Sequence, residues 1–414
     1  MASLTSAIFY TLIFLSIYAQ VFLLITFLEN RKKITIRNHK IKLSQYPAVT
    51  IVVPSWNEEK TIYKTIRSLL ALRYPQDKLK LFLVDDGSTD STWNIISKFA
   101  KHKNVKVFRK ENGGKYTALN LGLQNLETEF FGCLDADSVV DTEALVRIMS
   151  YFEADKEMMA VVPSVTVHNS KSFIQTVQKA EYNMGVFSKK MLGFLGAIHV
   201  TPGPFTIFRR KVFDDLGLYR HGHNTEDMEI AYRMQKHDYK IDHCNDAYVY
   251  TNTPSTIHKL YKQRLRWIYG FINNTFDYRN VIFKRKYGNF AFFTLPAGII
   301  SILSVCYVFG RTAYSIGDFI YSKIVAFDTV GFQFSTRSFD IDLFFLNTQF
   351  YALLSVATYL SVFFAIMFGK RMVENKWTIS PEMFYFFPVF GLIAPFWLLR
   401  AIWNTIINKT PSWK

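Results

Sequence analysis

The sequence predicts an α/β domain set between apolar segments long enough to cross a membrane. Three observations carry this. Between residues 49 and 134 short β-branched runs alternate with stretches of helical spacing, two of those runs end in acidic residues, and uncharged stretches fill residues 8–28 and much of the chain after Asn289. The 414 residues leave room for a soluble domain of about 200 residues beside the apolar segments. The formal net charge of +16 does not point to nucleic acid, because many cations flank apolar runs, where cytoplasmic loops and anionic headgroups favour them. Cys133, Cys244 and Cys306 have neither a C-x-x-C spacing nor a metal-site spacing, so no disulfide framework is expected and a reducing cytosol suits the central domain.

Taken in order, residues 8–28 form an uncharged run without a small-residue cleavage site, which predicts a retained span. Arg31, Lys32 and Lys33 follow it and no charge precedes it, so the central domain is expected in the cytoplasm. Residues 49–53 read as a strand ended by Pro54, and Ile62, Ile66, Leu69 and Leu70 give helical spacing over residues 58–72. A second unit follows: a strand at 81–84, then Asp85-Asp86-Gly87-Ser88-Thr89-Asp90, whose side chains can cap a helix running through Ala100. Residues 105–108 predict a third strand, Asn112-Gly113-Gly114 a tight turn, and Lys115 the start of a helix. The fourth strand, from Phe130 to Leu134, is apolar throughout, as in a buried parallel sheet, and runs into Asp135-Ala136-Asp137.

That strand end is where chemistry is expected. If the backbone stays extended, Asp135 and Asp137 point to one side, into the crevice beyond the carboxyl ends of the strands where open α/β sheets bind ligands. Paired carboxylates suit Mg²⁺ or Mn²⁺ held jointly with a substrate's phosphates. Lys115, at a helix start with free N–H groups, could meet a diphosphate. Bland readings stand beside these: Asp-x-Asp as a solvated turn, Asp85 and Asp86 as a turn, Lys115 as a surface lysine. Further on, 201–208 is a Pro/Gly-rich loop entering a short strand, and Asn224-Thr225-Glu226-Asp227 precedes a helix over 228–236. Glu226 and Asp227 are either first-turn carboxylates favoured by the helix dipole or a general base with its neighbour.

Residues 255–288 mix cations with aromatic residues and predict a segment on the membrane surface. Uncharged runs at 289–310 and 344–369 are long enough to span. The loop between them, with Asp318, Asp328, Asp340 and Asp342 against Arg311, Lys323 and Arg337, is expected outside; Lys370, Arg371 and Lys376 place the next one inside. Residues 383–399 are interrupted by Pro388 and Pro395, so 377–407 is expected to be a broken helix or re-entrant hairpin at the cytoplasmic side.

Together, Val84-Asp85-Asp86-Gly87-Ser88, Gly114-Lys115, Asp135-Ala136-Asp137, Thr225-Glu226-Asp227 and Gln263-Arg264-Leu265-Arg266-Trp267 resemble the membrane-embedded family 2 glycosyltransferases, among them the hyaluronan, chitin, cellulose and poly-N-acetylglucosamine synthases. The likeness covers roughly residues 50–271, and Trp413 resembles the Trp near the end of hyaluronan synthases. The resemblance implies a GT-A fold, a Rossmann-like mixed sheet, and inverting transfer from a nucleotide sugar. It implies that Asp86 with Asp85 holds base and ribose, that Asp135 and Asp137 bind nucleotide and metal with Asp137 as the direct ligand, and that Asp227 is the base. Lys115 and Arg266 would meet the departing diphosphate, and Trp267 would stack on the acceptor sugar. Pro54, Asn57 and Glu58 are also expected at the donor, Glu226 in the catalytic group and Gln263 at the acceptor. The chain departs from several of those polymerases in having one apolar run ahead of the catalytic stretch, where they have two or more.

The expected organisation is a transmembrane helix at 1–28, a cytoplasmic catalytic domain at 46–254, interfacial helices at 255–288 and a C-terminal transmembrane region at 289–414, in the plasma membrane. The expected function is a synthase that uses UDP-N-acetylglucosamine or UDP-glucose to build and export a β-linked polysaccharide. Its partners would be the donor, the growing glycan or a lipid acceptor, and membrane lipids. Single transfer to a polyprenyl-phosphate or other lipid is the alternative, and an inactive assembly scaffold a third. Intact carboxylates argue against the last.

Overall fold

The structure is a computed structural model that describes residues 2–34, 41–330 and 350–411. Helix α1 (Ala2–Asn30) precedes an alternating series: β1 (Val49–Ser55), α2 (Ile62–Leu70), β2 (Leu79–Asp86), α3 (Thr92–Ile96), β3 (Val105–Lys110), α4 (Lys115–Gln124) and β4 (Phe130–Cys133). Then come β5 (Ser138–Val140), α5 (Ala144–Ala154), β6 (Met158–Val167), α6 (Phe173–Phe194), β7 (Ile207–Arg209), α7 (Lys211–Leu216), α8 (Glu226–Lys236) and β8 (Lys240–Thr251). The chain closes with α9 (Ile257–Asp277), α10 (Leu295–Val330), α11 (Phe350–Glu374) and α12 (Pro381–Ile406).

One eight-stranded sheet has the order β3-β2-β1-β4-β7-β6-β8-β5. Its first four strands are parallel, while β7 runs antiparallel between β4 and β6, so the sheet is mixed. Side chains alternate between two buried faces: Val49, Ile51 and Val53 enter one core with Leu81 and Leu83, and Val52 enters the other with Phe82 and Val84. Burial on both faces accounts for the unbroken apolar runs. The second core does not stop at the sheet. It takes in Leu23 of α1, Phe271 of α9, Phe290 and Leu295 at the start of α10, and Ala365 of α11.

Several expectations change. Pro54 does not end β1, which continues to Ser55; the pairing with β4 stops at Val52, so the missing N–H faces no partner on that side. Helix α2 starts four residues late because Asn57 adopts φ 56° and Glu58 accepts the Thr61 and Ile62 N–H groups, holding a turn there. The second predicted helix is α3 followed by a tighter turn over Ser97–Lys101, and the bond to its Thr92 N–H comes from Asp90. Asp135 to Asp137 is not extended: Ser138 N–H bonds back to the Asp135 carbonyl and closes a turn.

Among the described residues, four helices are long and apolar enough to cross a membrane: Ala7–Asn30, Phe290–Val325, Leu353–Glu374 and Pro381–Ile406. Helix α10 runs on past Gly310 and Arg311, so Asp318 and Lys323 ride on it rather than on a loop; one glycine costs a long helix only about 1 kcal/mol. Arg337, Asp340, Asp342 and Trp413 lie outside the described residues. The segment 377–407 is neither broken nor a hairpin. Pro388 and Pro395 sit inside one continuous helix, α12, which packs along α9 through Trp397, Leu398 and Ala401. Near its start α12 reaches the sheet domain, where Tyr385 packs on Phe173 of α6, and near its end Thr405 accepts from Asn273 of α9. Beyond it, the Pro411 carbonyl accepts from Asn224.

Helix α11 docks on α6 where Gly369 meets the Asn183 backbone, and a Cβ there would overlap the Asn183 carbonyl oxygen. Around Gly310 nothing lies within 4 Å. Both alanine substitutions add helix propensity of about 1 kcal/mol. Gly310→Ala should therefore raise the thermal unfolding midpoint in detergent, and Gly369→Ala should lower it by a net destabilisation of about 1–3 kcal/mol.

Candidate active site

The parallel strands deliver their carboxyl ends to one edge of the sheet, and the site grows from there. Asp86 is the last residue of β2. Its Oδ1 accepts from Lys110 Nζ at 2.7 Å and Gly113 N at 3.1 Å, and its Oδ2 from Gly114 N at 2.9 Å. One carboxylate thus fixes the turn that starts α4 and sets the position of Lys115. Asp85, one residue earlier on the strand, points the other way: it is fully buried, ion-paired with Arg109 Nε at 3.1 Å, and accepts from Ser88 N.

Lys115 Nζ lies 2.6 Å from Asp135 Oδ1 and 3.3 Å from Glu226 Oε1, so its ammonium bridges the β4 turn to the start of α8. Burial alone would depress its pKa, but the charges of Asp135, Glu226 and Asp227 hold it well above the usual lysine range. The loop Pro202-Gly203-Pro204 leans on this pair. A Cβ at Gly203 would strike Lys115 Nζ and stand 2.8 Å from Asp135 Oδ1. Phe205 takes φ 64°, rare for a bulky residue, held by its N–H to the Cys133 carbonyl at 2.7 Å. Asp137 is pushed up to about 7 by burial and by the charges of Asp135 and Glu58. Asp227 is pushed up to about 6 by burial and by Glu226. Its Oδ1 accepts from Met228 N at 2.9 Å, while Thr201 holds its backbone carbonyl through both N–H and hydroxyl.

Helix α9 closes the opposite wall. Gln263, Arg266 and Trp267 face the cavity, and burial lowers the Arg266 pKa against the pull of Glu226 and Asp227. Arg264 stands behind them: it bonds Glu181 at 2.6 Å and Gln263 at 2.8 Å, and its guanidinium lies 4.1 Å from the Trp267 ring centroid. Trp267 is therefore anchored within the wall. Next along the helix, Gly270 lets α9 approach Thr225 so closely that any Cβ would collide with the Thr225 hydroxyl, to which Asn274 also donates.

The cavity so enclosed measures about 1070 Å³. Pro54, Asn57, Glu58, Asp86, Lys115, Asp135, Asp137, Glu226, Asp227, Gln263, Arg266 and Trp267 all line it; Asp85 does not. It also takes in Trp56, Tyr182, Gly185, Lys189 and Asn252, which sequence reasoning missed. Tyr182, Gly185 and Lys189 recur at helical spacing on α6, a signal that exists in the sequence but resembles any amphipathic stripe.

Among the described residues no three His, Cys, Asp or Glu side chains gather tightly enough to cage a metal alone. The Asp135/Asp137 pair nonetheless fits a hard divalent cation. Burial and the charge of the neighbouring Asp135 raise the Asp137 carboxyl, an environment a divalent cation would relieve, and Mg²⁺ or Mn²⁺ takes its remaining ligands from phosphate and water.

Residues 47–270 match the family described as Glycosyltransferase like family 2. The chain is 31% identical over 233 residues to a poly-beta-1,6-N-acetyl-D-glucosamine synthase of Staphylococcus epidermidis and 30% identical over 232 residues to that of Staphylococcus aureus strain COL. Each match covers 56% of this chain and 56% of the relative, so the chain spans about half the length of the curated relatives it matches. Its fold is similar to that of a mannosyltransferase from Pyrobaculum calidifontis solved in complex with GDP-Man and Mn²⁺, with a TM-score of 0.63, 17% identity, and coverage of 98% of this chain and 99% of that one. The sheet domain thus has the GT-A fold expected from the sequence.

Proposed function

The chain belongs to Glycosyltransferase like family 2, and from that premise we propose that it is an inverting, metal-dependent membrane glycosyltransferase that builds and exports a β-linked polysaccharide from a nucleotide sugar. The observation that carries this reading is the convergence of Asp86, Lys115, Asp135, Asp137, Asp227, Arg266 and Trp267 on one cavity. Similarity to poly-N-acetylglucosamine synthases favours UDP-N-acetylglucosamine over UDP-glucose as the donor.

In this reading the base and ribose lie against Pro54, Asn57, Glu58 and Asp86, and the diphosphate lies toward Asp135 and Asp137. A cation bound there supplies positive charge to the departing diphosphate. Lys115 exchanges its carboxylate partners for phosphate oxygens, and Arg266 adds a second positive charge. Asp227 takes the proton of the acceptor hydroxyl as that oxygen attacks the anomeric carbon. The bond to the diphosphate breaks on the opposite face and its electron pair leaves with the nucleotide. Glu226 keeps Asp227 basic by adjacent negative charge, and the anchored Trp267 ring offers the acceptor sugar a flat apolar platform.

The proposed topology has α1, α10 and α11 crossing the plasma membrane, the sheet domain in the cytoplasm and α12 lying at the cytoplasmic surface beside α9. Contact of the first turns of α12 with Phe173 of α6, and of Pro411 just beyond its end with Asn224, supports this. A cysteine replacing Lys409 should react with an impermeant thiol reagent only after the membrane is opened; labelling of intact cells would place α12 across the bilayer.

Incubating the purified protein with radiolabelled nucleotide sugars and sizing the product should yield a polymer, made only with Mg²⁺ or Mn²⁺ and lost in excess EDTA or on Asp137→Ala. A mono-glycosylated lipid as sole product would replace polymer synthesis by single transfer. Because Asp227 acts as a base only when ionised, the rate should fall as pH drops through about 6. Asp227→Asn should cut transfer by about 10²-fold or more with nucleotide affinity near normal by calorimetry; normal turnover would make Asp227 structural.

A further inference from the structure

Lys189 is the one lysine or arginine lining the cavity that makes neither a hydrogen bond nor an ion pair among the described residues. Burial pulls its pKa down to about 8, and of the cavity's carboxylates Asp227 is the one whose charge acts on it. It therefore stands on the base side, apart from Asp135 and Asp137. His199 is its neighbour: burial and the Lys189 charge push that imidazole down to about 4, and its Nδ1 is buried without a partner. The corner lies where the sheet domain meets the apolar helices, since the Ala197 carbonyl accepts from Thr294 just ahead of α10 and His199 packs edge-on against Phe271 of α9. One turn back along α6, Gly185 also lines the cavity, and a Cβ added there would meet nothing within 4 Å. The α6 wall thus combines an unpaired donor with open volume, facing Gln263 and Trp267 on α9.

We propose that the stripe Gly185–Lys189 of α6 forms the acceptor subsite: the terminal sugar of the growing glycan fills the space over Gly185, and the Lys189 ammonium donates to its hydroxyls beside the one that Asp227 deprotonates. The inference rests on the glycosyltransferase reading and deepens it. A donor role is disfavoured because Lys115, Arg266 and the Asp135/Asp137 pair already form the phosphate end. An ammonium has three donors and no acceptor, which suits a ring of hydroxyl oxygens. The empty wall at Gly185 explains why a helix with two buried faces keeps a residue that helices disfavour.

The test measures initial rates with saturating UDP-N-acetylglucosamine and a short β-1,6-linked N-acetylglucosamine oligosaccharide. Lys189→Met should raise the oligosaccharide KM about tenfold or more, the usual effect of losing a charged donor, with the donor KM within about twofold. Lys189→Arg should recover most of the loss. Gly185→Leu, which leaves Lys189 in place, should suppress elongation while hydrolysis of the nucleotide sugar stays detectable. A rise in donor KM for Lys189→Met would move the lysine to the phosphates and overturn the proposal, as would normal elongation by Gly185→Leu. Should Lys189→Met not fold, Gly185→Leu decides alone. If the wild type neither transfers nor hydrolyses any nucleotide sugar, the enzymatic reading itself fails, an outcome distinct from these.

Discussion

Among the described residues, seven carboxylates (Glu58, Asp86, Asp135, Asp137, Glu181, Glu226 and Asp227) share one cavity with three cations, Lys115, Lys189 and Arg266. That imbalance is the constraint on which the rest of the site depends. Asp86 is neutralised from outside by Lys110 and backbone N–H groups, and Glu181 by Arg264. The remaining negative charge falls on Glu58, Asp135, Asp137, Glu226 and Asp227, with Lys115 spread between Asp135 and Glu226. A buried carboxylate next to another must gain a proton or a cation. A diphosphate arriving alone would meet repulsion, whereas one arriving with a divalent cation completes the charge balance.

The backbone is arranged to keep those charges close without collapse. Asp86 holds the glycine turn that aims Lys115, and the Pro202-Gly203-Pro204 loop comes close enough to exclude any side chain from the Lys115–Asp135 contact. On the other side α9 meets the Thr225 loop through Gly270, so the helix carrying Gln263, Arg266 and Trp267 touches the loop carrying Glu226 and Asp227. The Trp267 ring and the Asp227 carboxylate are thereby held in one register, and in the proposed reaction positioning of that kind would supply much of the rate.

The strand-end carboxylates were legible because apolar runs ending in acidic residues reveal where a parallel sheet opens. Asp85 was not separable from Asp86 by motif, yet the period of two along β2 sends them to opposite faces, and only one reaches the cavity. Asp135 and Asp137 share the site through a turn rather than an extended backbone, a local bond that no periodicity encodes. Helix α6 hid its stripe because both of its faces are buried, one on the cavity and one on α11, so apolar spacing could not mark the functional side. Prolines in α12 suggested a break where packing against α9 keeps one helix. Lys189 and His199 carry no motif at all; their signal is that, among the described residues, the lysine makes no hydrogen bond or ion pair and the His199 Nδ1 has no partner, visible only once the fold is known.

The second core draws its wall from both parts of the molecule: Phe82 and Phe131 of the sheet touch the same cluster as Phe271, Phe290, Leu295 and Ala365 of the apolar helices. A fragment trimmed to the sheet domain for work in aqueous buffer would bare that apolar face to water and lose Arg266 and Trp267 together. The catalytic half and the membrane half are therefore one folding unit. Whatever is learned from this protein must be learned with its helices attached, in a bilayer or a faithful substitute for one.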